Sequence, residues 1–177
     1  MGFAAPGADV PHRDRPTPLN KPMIRPMRKT VAALAVSLAA LAGAQAAHAA
    51  DAKAVAGIRA GDHDCKGCNL AGADLTNTCV KHGDLEGADF DRANAKLMCM
   101  SFADFKNATF RGTNLSGANL THSDLTGADL SGADLTIATI KGTDLAHAKG
   151  LTQAQLDAAC GDKDTKVPPS LTVKRCS

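Results

Sequence analysis

The chain has no Trp and no Tyr, and Phe occurs only five times in its 177 residues. Proteins that hold single-stranded nucleic acid stack its bases on such rings, so that class of function loses its usual platform. Signatures of catalysis are missing too: there is no Gly-X-Ser-X-Gly turn, no phosphate-cradling Gly-rich loop and no paired metal motif. His63, His82, His122 and His147 are widely spaced and read as surface residues, so the chain is expected not to be an enzyme and to need no cofactor. The Gly-Gly-X-Gly-X-Asp string of calcium-binding solenoids is absent. The longest apolar run, about 15 residues from Thr30, is too short to favour a membrane span.

That run has another reading. Residues 1–22 carry five Pro and no apolar periodicity, and are expected to be disordered or an upstream-start extension. From Met23, the basic Arg25, Arg28 and Lys29 precede the apolar run, and AQAAHAA follows it. This is the three-part form of a secretory signal, residues 23–49, with cleavage expected after Ala49. No Cys stands near that point, so no lipid anchor is indicated and no membrane is expected as a partner after cleavage. Export makes the mature protein periplasmic or secreted. The formal charge of +2 belongs to the leader: without residues 1–49 the chain holds 14 Lys and Arg against 16 Asp and Glu. A nucleic-acid partner argued from basic charge therefore fails.

Between Cys65 and Leu145 a residue of one kind returns every five positions. It falls at Leu70, Leu75, Val80, Leu85, Phe90, Ala95, Met100, Phe105, Phe110, Leu115, Leu120, Leu125, Leu130, Leu135, Ile140 and Leu145, and with Cys65 makes 17 units. Two residues earlier sits a small residue, as in Ala73, Ala88, Ala103, Ala118, Ala128, Ala133 and Ala138, with Asp or Asn usually between. On a helix, five residues advance a side chain about 140° beyond a full turn, so the Leu column would spiral over every face and bury nothing. On an extended chain the small residue and the Leu face one way, and the pairs that follow, such as Ser116-Gly117 and Thr126-Gly127, have corner chemistry. Each unit is a short strand plus a corner, and repeated corners wind the chain into a stacked coil.

These residues, clearest in GANLTHSDLTGADLSGADL, resemble the pentapeptide-repeat family, whose pattern is Ala, Asp or Asn, Leu and two variable positions. The resemblance implies an all-β fold, a right-handed quadrilateral parallel β-helix of about four coils over residues 63–150, with Leu-type and Ala-type residues inside. At a strand spacing of about 4.8 Å the rod would be roughly 20 Å long. Residues 93–102 depart from the pattern, since Ala95 replaces a large centre and Met98 a small one, and a bulge or swapped packing is expected there. Residues 50–62 are expected to form an N-terminal lid. In residues 151–177, Thr152 and Gln155 form a capping box, Leu151 and Leu156 a hydrophobic staple, and Gly161 a stop; a capping helix from about Gln153 to Cys160 is predicted, with the tail running back over it.

All six Cys follow the expected cleavage site, which favours disulfides. In a frame of four units per coil Cys79 and Cys99 lie one coil apart at the same outward position, where a bond needs a local tilt; Cys160 and Cys176 flank the tail, and Cys65 and Cys68 are left as the third pair. Redox or zinc chemistry at Cys65-Lys66-Gly67-Cys68 is the weaker reading, because no helix N-terminus and no second close pair accompanies it.

The same frame aligns Asp64, Asp84, Asp104, Asp124 and Asp144 into one ladder. Carboxylates about 5 Å apart repel by roughly 0.8 kcal/mol in water, so the ladder must be offset, either by corner N–H groups with help from Lys66, Lys81, Lys106 and Lys141, or by a bound divalent cation or basic protein partner. The functional expectation is an exported, non-enzymatic binding or structural module on a rigid rod. The alternative that the resemblance offers is a DNA-mimicking topoisomerase-binding protein, which needs a strongly negative rod in the cytoplasm.

Overall fold

The structure, a computed structural model, describes residues 49–176. The expected extension and all of the expected leader but its last residue lie outside that range. Within it, the five-residue period becomes a four-sided coil. From Asp64 to Asp129 every fifth residue forms a parallel bridge to the residue 20 positions on: Asp64 with Asp84, Asn69 with Asp89, Asp74 with Asn94, and Cys79 with Cys99. These begin sides 1 to 4 respectively, and the same register continues up each side. Each side adds one bridged residue per coil rather than a long strand, because the rest of each five-residue unit is spent on the corner.

Corners repeat one geometry. The N–H three residues beyond the first corner residue donates back to it, as in Cys68 to Cys65 (3.1 Å) and Ala73 to Leu70 (3.0 Å). The third residue of each such turn has positive φ at every corner from Gly67 to Gly142. Glycine suits that position, yet Asn77, His82, Arg92, Leu97, Phe102, Asn107, His122 and Ile137 also adopt it. The corner N–H then pairs with the coil above, as Gly67 does with Glu86 at 2.8 Å, so the one backbone donor that faces outward at the bend is satisfied.

The inward columns fill the coil. Leu70, Leu75, Val80, Leu85, Leu115, Leu125 and Leu130 are fully buried, as are Phe90, Phe105 and Phe110, whose rings pack on one another with Phe90 and Phe110 stacked at 4.9 Å. Where a polar residue takes the small position its hydroxyl donates to a corner carbonyl, as Thr113 does to Phe90 (2.6 Å) and Thr143 to Leu120 (2.7 Å). The bulge expected at residues 93–102 does not occur. Ala95 and Met98 are both buried, and Asn94 and Cys99 keep their bridges to Asn114 and Asn119. Adjacent in one turn, the two residues exchange volumes, so the swap half of the expectation holds and the backbone has no reason to move.

Both ends are plugged. Helix α1 (Ala52–Ala60) starts at Asp51, whose carboxylate accepts the Lys53 N–H at 2.8 Å, and stops at left-handed Gly61. It buries Ile58, while the Arg59 guanidinium donates to the Asp74 carbonyl. Helix α2 (Gln153–Ala158) has the capping box of Thr152 and Gln155, and Leu151 and Leu156 join the core. The Gln155 amide also donates to the carbonyls of Leu130 and Ala133, at 2.8 and 2.9 Å. The helix ends at Ala158, in extended Ala159, not at Cys160 and not through Gly161. The chain then resumes the ladder instead of only folding back over α2: Cys160 bridges Thr139, Lys166 bridges Asp144, and Gly161 pairs with Arg175. The reason is the unpaired edge of the last coil, whose Thr143 carbonyl takes the Lys166 N–H at 3.0 Å.

Candidate functional site

The Asp ladder is assembled on side 1: Asp64, Asp84, Asp104, Asp124 and Asp144 bridge in sequence, and Lys166 ends the row. Four of the carboxylates turn to their own corner. Asp84, Asp104, Asp124 and Asp144 accept the N–H two residues on, from Glu86, Lys106, Thr126 and Ala146, at 3.2, 2.9, 2.9 and 3.1 Å. This is the turn bond that Asp favours at such bends. Lys106 Nζ sits 2.7 Å from Asp104 Oδ2 and 3.0 Å from Asp124 Oδ2, bridging two coils, and Lys166 Nζ reaches Asp144 Oδ2 at 2.8 Å. Of the four lysines expected to help, Lys66 pairs with Glu86, and Lys81 and Lys141 form no ion pair among the described residues.

Electrostatics follow this geometry. Burial pushes the Asp124 carboxyl up, but hydrogen bonds from the Thr126 hydroxyl and N–H and from Lys106 outweigh it and hold it below the ordinary carboxylate range. The Lys166 ammonium lowers Asp144 despite burial, and the two aspartates beside Lys106 raise that ammonium well above its ordinary value. Among the described residues no group of three His, Cys, Asp or Glu is placed to hold a metal ion. A cleft of about 210 Å³ beside the lid gathers Asp51, Asp62 and Asp64. Two of these are already engaged, Asp51 as a helix cap and Asp62 on the Asp64 N–H.

The six cysteines are joined as Cys65 with Cys68, Cys79 with Cys99 and Cys160 with Cys176, with Cα atoms 5.3, 4.6 and 5.5 Å apart. The second pair needs no irregular coil, since its coils keep their register. Residues 64–98 and 99–136 match pentapeptide repeats in eight copies. The solenoid belongs to the pentapeptide-repeat family. Of solved structures, HetL from the cyanobacterium Nostoc sp. strain PCC 7120, a pentapeptide-repeat protein involved in heterocyst differentiation regulation, is 26% identical over 63% of this chain and 51% of its own, with a TM-score of 0.50. The pentapeptide-repeat protein Rfr23 of Cyanothece 51142 is 30% identical over 54% and 64%, TM-score 0.34. QnrB1, a plasmid-mediated fluoroquinolone resistance protein, is 23% identical over 62% of each chain, TM-score 0.32. The chain thus spans about half of HetL and under two thirds of the other two. No curated protein matches it.

Pentapeptide-repeat corners hold residues that the sequence reasoning passed over. On the corner after side 4, His82, Phe102 and His122 occupy successive coils, their rings 5.1 and 5.0 Å apart. On the corner before it lie Leu97 and Ile137. All five have positive φ, a geometry that costs an L residue about 1–2 kcal/mol and that Ile, branched at Cβ, rarely adopts. Rows of 20 residues place each set in one column, so that column was the available signal.

Proposed function

We propose that this chain is an exported, non-enzymatic pentapeptide-repeat module, stapled by disulfides, whose work is to bind a protein partner or build structure from a rigid rod. The observation that carries this reading is the pairing of all six cysteines in a chain whose leader has the form of a secretory signal. Disulfides of this density fit an oxidising compartment. The Asp ladder serves first as scaffold, because corner N–H groups and lysines already occupy its carboxylates. Presentation of the ladder to a basic partner remains the sharper form of the proposal, tested by replacing Asp84, Asp104 and Asp124 with Asn together: loss of partner binding in a folded variant supports it, and unchanged binding reduces the ladder to scaffold. Intact mass of protein from its native host tests export, with the leader expected to be missing up to Ala49 and the mass lowered by six hydrogens for three disulfides. A full-length, fully reduced product in the cytoplasm overturns the proposal and revives the DNA-mimic alternative.

A further inference from the structure

Side 4 differs from the other sides in charge. Its residues and corners over four coils, 76–82, 96–102, 116–122 and 136–142, include no Asp or Glu, yet hold Lys81, Lys96 and Lys141. Carboxylates stand only at its borders: Asp74 accepts from Thr76 and Asp134 from Thr136 at the corner before it, Asp162 accepts the Gly142 N–H at 2.9 Å, and the Asp ladder of side 1 begins beyond the corner after it. Ion pairs among the described residues fall elsewhere: Lys66 with Glu86, Lys106 with Asp104 and Asp124, Arg111 with Asp91 and Asp129, Lys163 with Asp164, Lys166 with Asp144. The same side carries the exposed large apolar residues of the described chain, Leu97 at 49%, Phe102 at 52% and Ile137 at 71% exposure. A Cβ on Gly117 would stand 2.6 Å from Leu97 Cδ2 and 3.8 Å from Ile137 Cδ1, so those two side chains close over the glycine into one apolar strip. Phe102 forms the opposite edge between two histidine rings.

We propose that side 4 is a membrane-docking face, seated on an anionic lipid bilayer with Leu97, Phe102 and Ile137 entering the headgroup boundary and Lys81, Lys96 and Lys141 meeting lipid phosphates. Charge complementarity selects the partner: three lysines in no ion pair among the described residues, on a side whose own residues include no carboxylate, suit an anionic surface, and long lysine stems let apolar neighbours sink while the ammonium stays in the headgroups. Shape selects a bilayer over a protein. The apolar side chains project from both edges of a flat side, Leu97 and Phe102 on one coil and Ile137 two coils on. Their backbone strain has no role in the fold, since Asn77 and Asn107 fill the same corner geometry. The proposal departs from the sequence-based expectation of no membrane partner and does not rest on the Asp ladder.

Because the chain has no Trp or Tyr, Phe102→Trp introduces a single indole reporter at the face itself. The probe is vesicles of phosphatidylcholine with about 30 mol% phosphatidylglycerol, against pure phosphatidylcholine. Indole emission is expected to shift to the blue on the anionic vesicles alone. In that reporter background, Lys81→Gln, Lys96→Gln and Lys141→Gln together should weaken binding about 100-fold, from the loss of three charges. Leu97→Asn with Ile137→Asn should weaken it while the circular dichroism and melting of the protein persist. Binding without an emission shift points to the leader, not this face, and overturns the proposal. An equal shift on neutral vesicles, or a shift that follows protein concentration without lipid and so reports a second copy, overturns it too.

Discussion

Sides 1 and 4 meet at one corner and share one backbone, but they handle their outward residues in opposite ways. On side 1 a risky arrangement, a row of like charges, is absorbed locally by corner N–H groups, by Lys106 between coils and by Lys166 at the end. On side 4 Leu97, Phe102 and Ile137 stay exposed at positive φ, although Phe102 stacks between His82 and His122 and Leu97 and Ile137 flank Gly117. A motif that repeats is thus satisfied by the repeat that contains it. Leu97, Phe102 and Ile137 break the corner rule without the burial that would offset it.

The comparison holds only if the inward columns of both sides are equivalent. Leu120→Ala on side 4 and Leu125→Ala on side 1 remove side chains of the same size from the same core. Each should destabilise by about 2–5 kcal/mol in urea unfolding, by similar amounts, and a large difference would break the comparison. The next effect is covalent: Cys79→Ala with Cys99→Ala should cost roughly 3 kcal/mol, the loop-entropy value for a ring near 20 residues, and full reduction of the wild type, which opens all three disulfides, should cost more. Smaller, and of opposite sign, is Ile137→Asn, expected to raise stability by up to about 1 kcal/mol because Asn tolerates the left-handed corner and the lost side chain is mostly exposed.

Smallest is the ladder itself. Asp84→Asn, Asp104→Asn and Asp124→Asn together keep the turn acceptors and relieve repulsion, so melting should change by less than about 1 kcal/mol at pH 7. The pH profile sharpens this. Asp124 and Asp144 have folded-state values below the ordinary carboxylate range, so their contribution is present above the unfolded value near 3.9 and is lost as pH falls through the lower folded values. Lys106 and Lys166 are raised, so theirs is present below the unfolded value near 10.4 and is lost as pH climbs past it. Stability should therefore be flat between about pH 5 and pH 9, and the acid limb should be shallower in the triple variant than in the wild type.

Much of this was legible because a strict period carries its own geometry. Five-residue spacing ruled out a helix, and rows of 20 put Asp64 with Asp84 and Cys79 with Cys99 before any coordinate was known. Thr152 and Gln155 announced the second helix through a local bond pair. What could not be read depended on register or on distance. Lys166 meets Asp144 only because the chain re-enters the ladder 22 residues on, after α2 has broken the period. Ala95 and Met98 looked like a fault because sequence shows two wrong sizes and not the one cavity they share. The His82, Phe102 and His122 column was hidden among variable corner positions, where the family pattern asks for nothing in particular.

By itself, then, the order of residues determined the four-sided coil, its inward columns and its alignment of like residues, since burying one large side chain in five leaves the chain a single periodic solution. Tertiary structure alone decided which charges were neutralised, how the open edges were closed and which side chains were left uncovered. Those outcomes turn on atoms brought within a few ångströms by stacking, and electrostatic pairing and exposure fall off over that distance, not along the chain.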